Sequence, residues 1–272
     1  SESIAELVSL RIDTIRELLH ILERCRAVED SSSQLQEAIL GIMANRVRMP
    51  QHKNFLGTPD VIMLILDVMH GNKDYVGVQI EACNVIANVC GLLSTQEKDK
   101  IVIAGAVRTI VGAMFAFPDE KPILQEPALR ALAGLASASE IAKEALCEPE
   151  TLSVLMELCR LDDRSTPQQQ EMLCAVLSSL YASDRLQADA LECDSFGAVA
   201  AAATKYWGSE RVQDVACISY RNLARRGEAL ETLMEYNVVD LIFKAMKGYR
   251  MSKSIQNNAC CALWRIGTGT ES

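Results

Sequence analysis

The sequence predicts an all-α solenoid of about six stacked repeats, on three observations. A glutamine-anchored pattern returns along the chain, the apolar residues of each copy fall on one helical face, and one copy cannot bury that face alone. The pattern is clearest at Val78–Asn88 and returns at Leu124–Gly134, Val212–Asn222 and Ile255–Leu263, with weaker copies at Leu35-Gln36 and Gln169-Gln170. Its glutamines are Gln36, Gln79, Gln125, Gln170, Gln213 and Gln256, spaced 43, 46, 45, 43 and 43 residues apart. Self-similarity at that period signals a stacked helical array.

Within a copy the apolar residues fall three, four, seven and ten positions after the glutamine. In the third copy they are Ala128, Leu129, Leu132 and Leu135, and in the sixth Ala259, Cys260, Leu263 and Ile266. This spacing is one face of an α-helix. Small residues at the third and fourth positions let a neighbouring helix approach closely. The missing surface has to come from adjacent copies, so the 272 residues read as one body built repeat on repeat.

Bulk composition narrows the function classes. The net charge of −9 argues against a general nucleic-acid binder, whose phosphate contacts need a basic surface. It suits a basic partner. Of the ten cysteines, Cys83, Cys174, Cys217 and Cys260 share one register position, where a free cysteine acts as a small buried apolar residue. A disulfide framework is therefore not expected, and the chain reads as intracellular, cytoplasmic or nuclear. Ser1–Glu6 carries no signal-peptide pattern, and no apolar run reaches the length of a membrane span. The absence of an initiator methionine reads as a processed product or part of a longer chain.

The elements follow in order. Ile4–Cys25 has a helical apolar stripe (Leu7, Val8, Ile12, Ile15, Leu18, Leu19, Leu22) and reads as one long helix or two short ones. Ala27–Ser33 is a polar connection, and the first repeat helix follows at Gln34–Arg46, so residues 1–46 form a cap and partial repeat. The repeats then span 50–94, 95–137, 138–182, 183–225 and 226–266, each with three helices. The second holds Gln51–Leu56, Pro59–His70 and Val76–Leu92. The third holds Gln96–Ala104, Ala106–Phe117 and Ile123–Ala136, with Gly105 as the C-cap between its first two. Pro127 predicts a late start or a bend in its last helix. The fourth holds Glu140–Leu146, Glu150–Arg160 and Pro167–Tyr181, with Pro167 at a first helical position. The fifth holds Arg185–Glu192, Phe196–Tyr206 and Glu210–Arg225. Its alanine-rich Ala198–Ala203 implies close approach or a thinned core. The sixth holds Glu228–Glu235, Val238–Lys247 and Lys253–Ile266, ended by Gly267-Thr268-Gly269. With no further copy after it, its last apolar face is expected to be exposed, covered by a partner or continued in a longer chain.

Three helices per unit, a period in the mid-forties and a third helix of Gln-x-x-Ala-small-x-x-Leu-x-Asn character resemble the armadillo repeat from about Gln34 to Ile266. The HEAT repeat, with two helices per unit, is the alternative. The resemblance implies a right-handed superhelical solenoid and a non-catalytic scaffold that binds a protein segment in a concave groove of third helices. Importin-α-like members carry Trp five and Asn nine positions after the glutamine. Here the first set is Gly41, Asn84, Arg130, Ala175, Ile218 and Cys261, with no Trp, and the second is Asn45, Asn88, Gly134, Ser179, Asn222 and Arg265. The import-adaptor pattern therefore lacks its aromatic half.

If third helices line a groove, the first, fifth and ninth positions after each glutamine point into it. Glu37, Glu126, Glu171 and Asp214 form an acidic rail, joined by Asn45, Asn84, Asn88, Arg130, Asn222 and Arg265. Such a rail suits a segment carrying Lys or Arg, with asparagines pairing the backbone. The competing reading is a solvated helix face. Trp264, beside the last column, either anchors a partner or folds onto its own repeat, whereas Tyr206-Trp207 reads as core or loop packing.

No catalytic constellation emerges. His20, His52 and His70 lack partners at metal-ligand spacing, Gly267-Thr268-Gly269 is too short for a dinucleotide loop, and Cys260-Cys261 is a poor pair for an unstrained disulfide. Asp162-Asp163 sits in a turn. No cofactor or metal is expected. Two readings stand: a scaffold binding a partner segment of some basic character, or a structural subunit fixed in a larger assembly through its ends and convex side.

Overall fold

The computed structural model describes residues 12–25, 33–47, 55–118, 121–158, 160–225 and 229–269. These are helical throughout their ordered elements, with no strand among them. In chain order the helices are α1 (Ile12–Cys25), α2 (Ser33–Arg46), α3 (Pro59–Gly71), α4 (Val76–Val89, extended by a 3-10 turn to Leu92), α5 (Thr95–Ile103), α6 (Ala106–Ala116) and α7 (Lys121–Ala136). They continue as α8 (Glu140–Cys147), α9 (Pro149–Leu158), α10 (Pro167–Tyr181), α11 (Gln187–Glu192), α12 (Ser195–Lys205), α13 (Glu210–Leu223), α14 (Leu230–Glu235), α15 (Val238–Gly248) and α16 (Lys253–Gly269).

Copies three to six each hold a short first helix, a second helix and a glutamine-bearing third helix, which is the three-helix plan and not the two-helix one. Residues 4–11 of the expected Ile4–Cys25 segment, 27–32 of the Ala27–Ser33 connection, 51–54 of the expected Gln51–Leu56 helix and the start at Glu228 lie outside the described residues.

Local chemistry explains the boundaries. Ser94 opens α5 with a reciprocal box: its hydroxyl accepts from the Glu97 amide and the Glu97 carboxylate accepts from the Ser94 amide. Thr166 and Gln169 do the same for α10, with Pro167 in the first turn. The turn between first and second helices uses the left-handed region at Gly105 (φ 99°), Asp194 (φ 51°) and Asn237 (φ 50°). Glycine, Asp and Asn are the residues that adopt it at least cost.

The chain divides into two compact units, Ser1–Leu135 and Ala136–Ser272. In the first, α2 packs along α4, and α3 lies against α4, α5 and α6. In the second, α10, α13 and α16 pack in sequence along one side, with α12 against α15 on the other. The register predicted for the third helices is the core: Ala82, Cys83 and Ile86 in α4 and Ala216, Cys217 and Tyr220 in α13 are buried. The second unit adds an aromatic cluster around Phe196, whose ring meets Tyr181, Tyr220 and Tyr236 edge-on at 6.3, 5.8 and 5.5 Å.

Three expectations need correction. Helix α7 begins at Lys121, so Pro127 lies inside it and not at a late start. A proline costs an interior helix about 3 kcal/mol, but Leu124, Leu129, Leu132 and Leu135 are all fully buried along this helix. Each such burial returns about 1.5–3 kcal/mol. Second, α16 does not stop at Ile266 but runs on through Gly267 and Thr268 to Gly269. The Thr268 hydroxyl donates to the Trp264 carbonyl at 3.0 Å and holds the last turn. Third, Cys260 is exposed, unlike Cys83, Cys174 and Cys217. Helix α13 is packed by α10 and by α16, whereas among the described residues no later third helix packs on α16. Cys83, Cys90, Cys147, Cys174, Cys193, Cys217, Cys260 and Cys261 form no disulfide.

Candidate partner-binding site

The repeated glutamine has a structural task. Gln79 Nε2 donates to the carbonyls of Met69 (2.9 Å) and Asn72 (2.7 Å), at the C-terminus of α3. Gln213 Nε2 donates to Ala203 (2.8 Å) and Tyr206 (3.5 Å) after α12, and Gln256 Nε2 to Met246 (2.9 Å) and Tyr249 (3.1 Å) after α15. In each case a third helix caps the carbonyls that the second helix cannot bond internally. The glutamine therefore ties the two long helices of a repeat together.

The asparagine column also bonds between repeats. Asn88 Nδ2 donates to the Ala44 carbonyl (2.9 Å), Asn222 Nδ2 to the Ser178 carbonyl (3.0 Å), and the Arg265 guanidinium to the Arg221 carbonyl (2.7 Å). Each reaches from the ninth position of one copy to the eighth of the copy before. These donors are engaged within the fold. Asn45 donates to Gly41 in its own helix (3.0 Å), and Asn84 Oδ1 accepts from Arg130 (3.0 Å). Gly134 stands at the same position in the third copy because a Cβ there would come within 2.6 Å of Cys90 Cβ.

The acidic residues differ between units. In the second unit, Asp214 accepts from the Ser254 hydroxyl at 2.7 and 2.9 Å and from Asn258 Nδ2 at 3.2 Å. Glu171, its side chain only 13% exposed, faces the Arg211 guanidinium at 3.9 Å. In the first unit, Glu37 and the half-buried Glu81 come together with no cation in contact among the described residues. Burial raises the Glu81 carboxyl above the usual carboxylate range, the Glu37 charge raises it further, and a hydrogen bond with Asn84 opposes both. Glu37 in turn hydrogen-bonds Tyr75, which raises that phenol. Gly77 makes the room, since a Cβ there would collide with the Glu37 carboxylate, whereas one at Gly41 would be in ordinary contact with that of Glu81 at 3.6 Å. Glu126 is half-buried on α7.

The acid pair Glu37–Glu81 was not visible in the repeat register, because Glu81 falls two positions after its glutamine and its partner lies one copy earlier. Gly77 at the start of α4, where a Cβ would meet Glu37 of the copy before, is the signal that could have found it. Trp264 is 67% exposed and not folded onto its repeat. Trp207 packs instead: Lys244 Nζ lies 5.0 Å from its ring centroid, the Tyr249 ring stands at 6.2 Å, and Gly248 has no room for a Cβ beneath it.

No group of three or more His, Cys, Asp or Glu that could hold a metal occurs among the described residues, where no helix is long and apolar enough to cross a membrane. His20 stands beside Glu23 at 3.9 Å on an exposed surface, and His52 lies outside the described residues.

This arrangement of three-helix repeats, with third helices side by side and capped from the glutamine, is an armadillo-type repeat fold. A designed armadillo repeat protein matches it with a TM-score of 0.73 at 18% identity, over 92% of this chain and 99% of its own. Computationally designed armadillo repeat proteins for modular peptide recognition match with a TM-score of 0.72 at 18% identity, over 91% and 99%. An engineered protein matches with a TM-score of 0.76 at 20% identity, over 94% and 97%. No family model matches the sequence, and no curated protein does.

Proposed function

We propose that this chain is a non-catalytic protein-interaction scaffold whose third-helix face in the first unit binds a partner segment through a Lys or Arg side chain. The observation that carries this reading is the Glu37–Glu81 pair. A half-buried carboxyl raised by burial and by the neighbouring Glu37 charge, with no contacting cation among the described residues, forms a site that a cationic side chain relieves. The acids of the second unit already have internal partners, so recognition there falls to Trp264 and the exposed edge of α16. Because Asn88 and Asn222 donate within the fold, the reading rests on charge more than on an asparagine ladder. The designed relatives built for peptide recognition are consistent with it, as a property of those proteins.

The test is fluorescence anisotropy of a labelled, end-capped arginine/lysine peptide at low and high salt. Wild type is compared with Glu37→Gln/Glu81→Gln and with Glu231→Gln/Asp240→Asn, which removes the same charge from exposed positions elsewhere. Binding that weakens with salt and is abolished only in the first double variant supports the assignment. Equal loss in both variants would reduce it to bulk electrostatics and sink the site.

The alternative, a subunit fixed in an assembly, is favoured by the exposed apolar residues of the sixth copy: Met251 (93%), Trp264 (67%) and Phe243 (47%). Concentration-dependent self-association or aggregation, removed by Trp264→Ser, would support that reading.

A further inference from the structure

Small residues of α6 (Gly112, Ala113 and Ala116) open a cleft of about 540 Å³ between α3 and α6 in the first unit. Met69 and Ala113 give it an apolar floor, and His70, Lys73 and Arg108 line it from both walls. Among the described residues that line it none is acidic, on a chain whose net charge is −9. We propose that this cleft docks an acidic peptide segment, its carboxylate among His70, Lys73 and Arg108 and a neighbouring small apolar side chain on the Met69–Ala113 floor.

Three features point to a site more than to loose packing. The volume lies within the roughly 300–1,000 Å³ of ligand-binding clefts, and a mostly apolar lining with a few convergent polar groups is their usual make-up. The imidazole of His70 is fixed: the Leu66 carbonyl, 2.8 Å away, can only accept, so Nδ1 carries a proton and donates to it. The other nitrogen is thereby turned towards α6, with Thr109 Oγ1 at 3.3 Å. Finally, Gly112 lines the cleft although a Cβ there would touch nothing within 4 Å. Gly77 and Gly134 are demanded by close neighbours, but Gly112 is not. A glycine inside a helix costs about 1 kcal/mol relative to alanine, and what it secures here is open space.

The positive lining is not imposed by the repeat. The equivalent cleft in the second unit, about 580 Å³ between α9 and α12, is lined by Glu157, Arg160 and Asp194 and has mixed charge. The proposed ligand is opposite in charge to the one assigned to the third-helix face, so either assignment can fail without the other.

The experiment is methyl NMR on protein labelled at methionine and alanine methyls, titrated with a short end-capped peptide of one leucine between glutamates. The same peptide with lysines and inorganic phosphate serve as comparison probes. The expected result is that the Met69 and Ala113 methyls shift with the glutamate peptide only. Lys73→Glu should weaken that binding about tenfold. Gly112→Leu, whose Cβ meets nothing within 4 Å and whose isobutyl group enters the cleft, should abolish it while the protein keeps its thermal transition. Equal shifts with the lysine peptide, equal shifts with phosphate alone, or undiminished binding by Gly112→Leu would each overturn the proposal.

Discussion

Two glutamates, one in each unit, show the same residue type put to opposite uses. Glu140, at the start of α8, accepts from Lys143 at 2.5 Å and from the Ser183 hydroxyl at 3.0 Å, and these bonds lower its pKa. Glu81, in α4, has its pKa raised by burial and by Glu37. The difference extends beyond the pair. The second unit pairs Glu144 with Arg185, Glu171 with Arg211 and Asp184 with Arg225, and builds an aromatic cluster in its core. The first keeps an unneutralised acid pair on one face and a basic cleft on another. One repeat plan thus carries an acid held by two donors in one unit and an acid pair with no contacting cation among the described residues in the other.

The most severe test of that contrast is the aromatic cluster. Phe196 is fully buried against three tyrosines, and Phe196→Ala should cost about 3–5 kcal/mol. Chemical denaturation should register this, and amide exchange should quicken first around Tyr181–Tyr236. If protection in α2–α4 fell equally, the division into two units would not describe the energetics.

Next comes the glutamine cap, which the two units share. Gln79→Leu and Gln213→Leu each remove a side-chain donor from two carbonyls at the end of a second helix, where the Asn72, Tyr75 and Ser209 amides still donate to Met69, Asn72 and Tyr206. Each should destabilise by about 1–3 kcal/mol, measured as a shift in denaturation midpoint with unchanged slope. The glutamine period made the stack legible in the sequence because its spacing, and the apolar face that follows, are local properties of one helix. What the glutamine does was not legible, since its acceptors lie on a different helix. The same limit explains Cys260: its register is that of Cys83 and Cys217, but burial depends on a further helix. Pro127 was read from backbone chemistry alone, and the burial around α7 outweighed it. Each cleft opens where the small residues of one second helix face larger ones of its neighbour, so Ala198–Ala203 announced close approach or thinning without deciding between them.

A smaller effect separates two buried tyrosines of one cluster. Ser195 Oγ donates to the Ala190 carbonyl at 2.5 Å, so its contact with Tyr181 at 2.8 Å has the phenol as donor. The Tyr220 hydroxyl is buried with no hydrogen-bond partner. Tyr181→Phe should cost about 1 kcal/mol, while Tyr220→Phe should be neutral or stabilising. Burial pushes both phenols well above their ordinary range and the Cys83, Cys174 and Cys217 thiols up to about 12. The unfolded chain releases these protons at lower pH than the folded one. The stability they contribute is intact below about pH 9 and is lost as pH rises towards 12. A pH series of thermal midpoints checks the direction.

The smallest stability effect is the most informative about function. A carboxyl whose folded pKa is raised holds its proton longer in the folded state than in the unfolded one. Glu81 therefore favours folding below its ordinary value of 4.5 and opposes it as pH rises through the window just above. Glu140, with a lowered pKa, does the reverse: its contribution is present above that value and is lost on acidification. At neutral pH, Glu81→Gln should raise the thermal midpoint slightly, because it removes a half-buried charge that Glu37 repels. Glu140→Gln should lower it. If Glu81 is kept for binding, the stabilised Glu81→Gln protein should also lose affinity for the arginine/lysine peptide, since strain at a binding site is commonly retained against stability. Gain of stability with binding unchanged would make the pair a tolerated imperfection of the α2–α4 packing. Loss of both stability and binding would show that the hydrogen bond with Asn84 outweighs the burial and repulsion of Glu81.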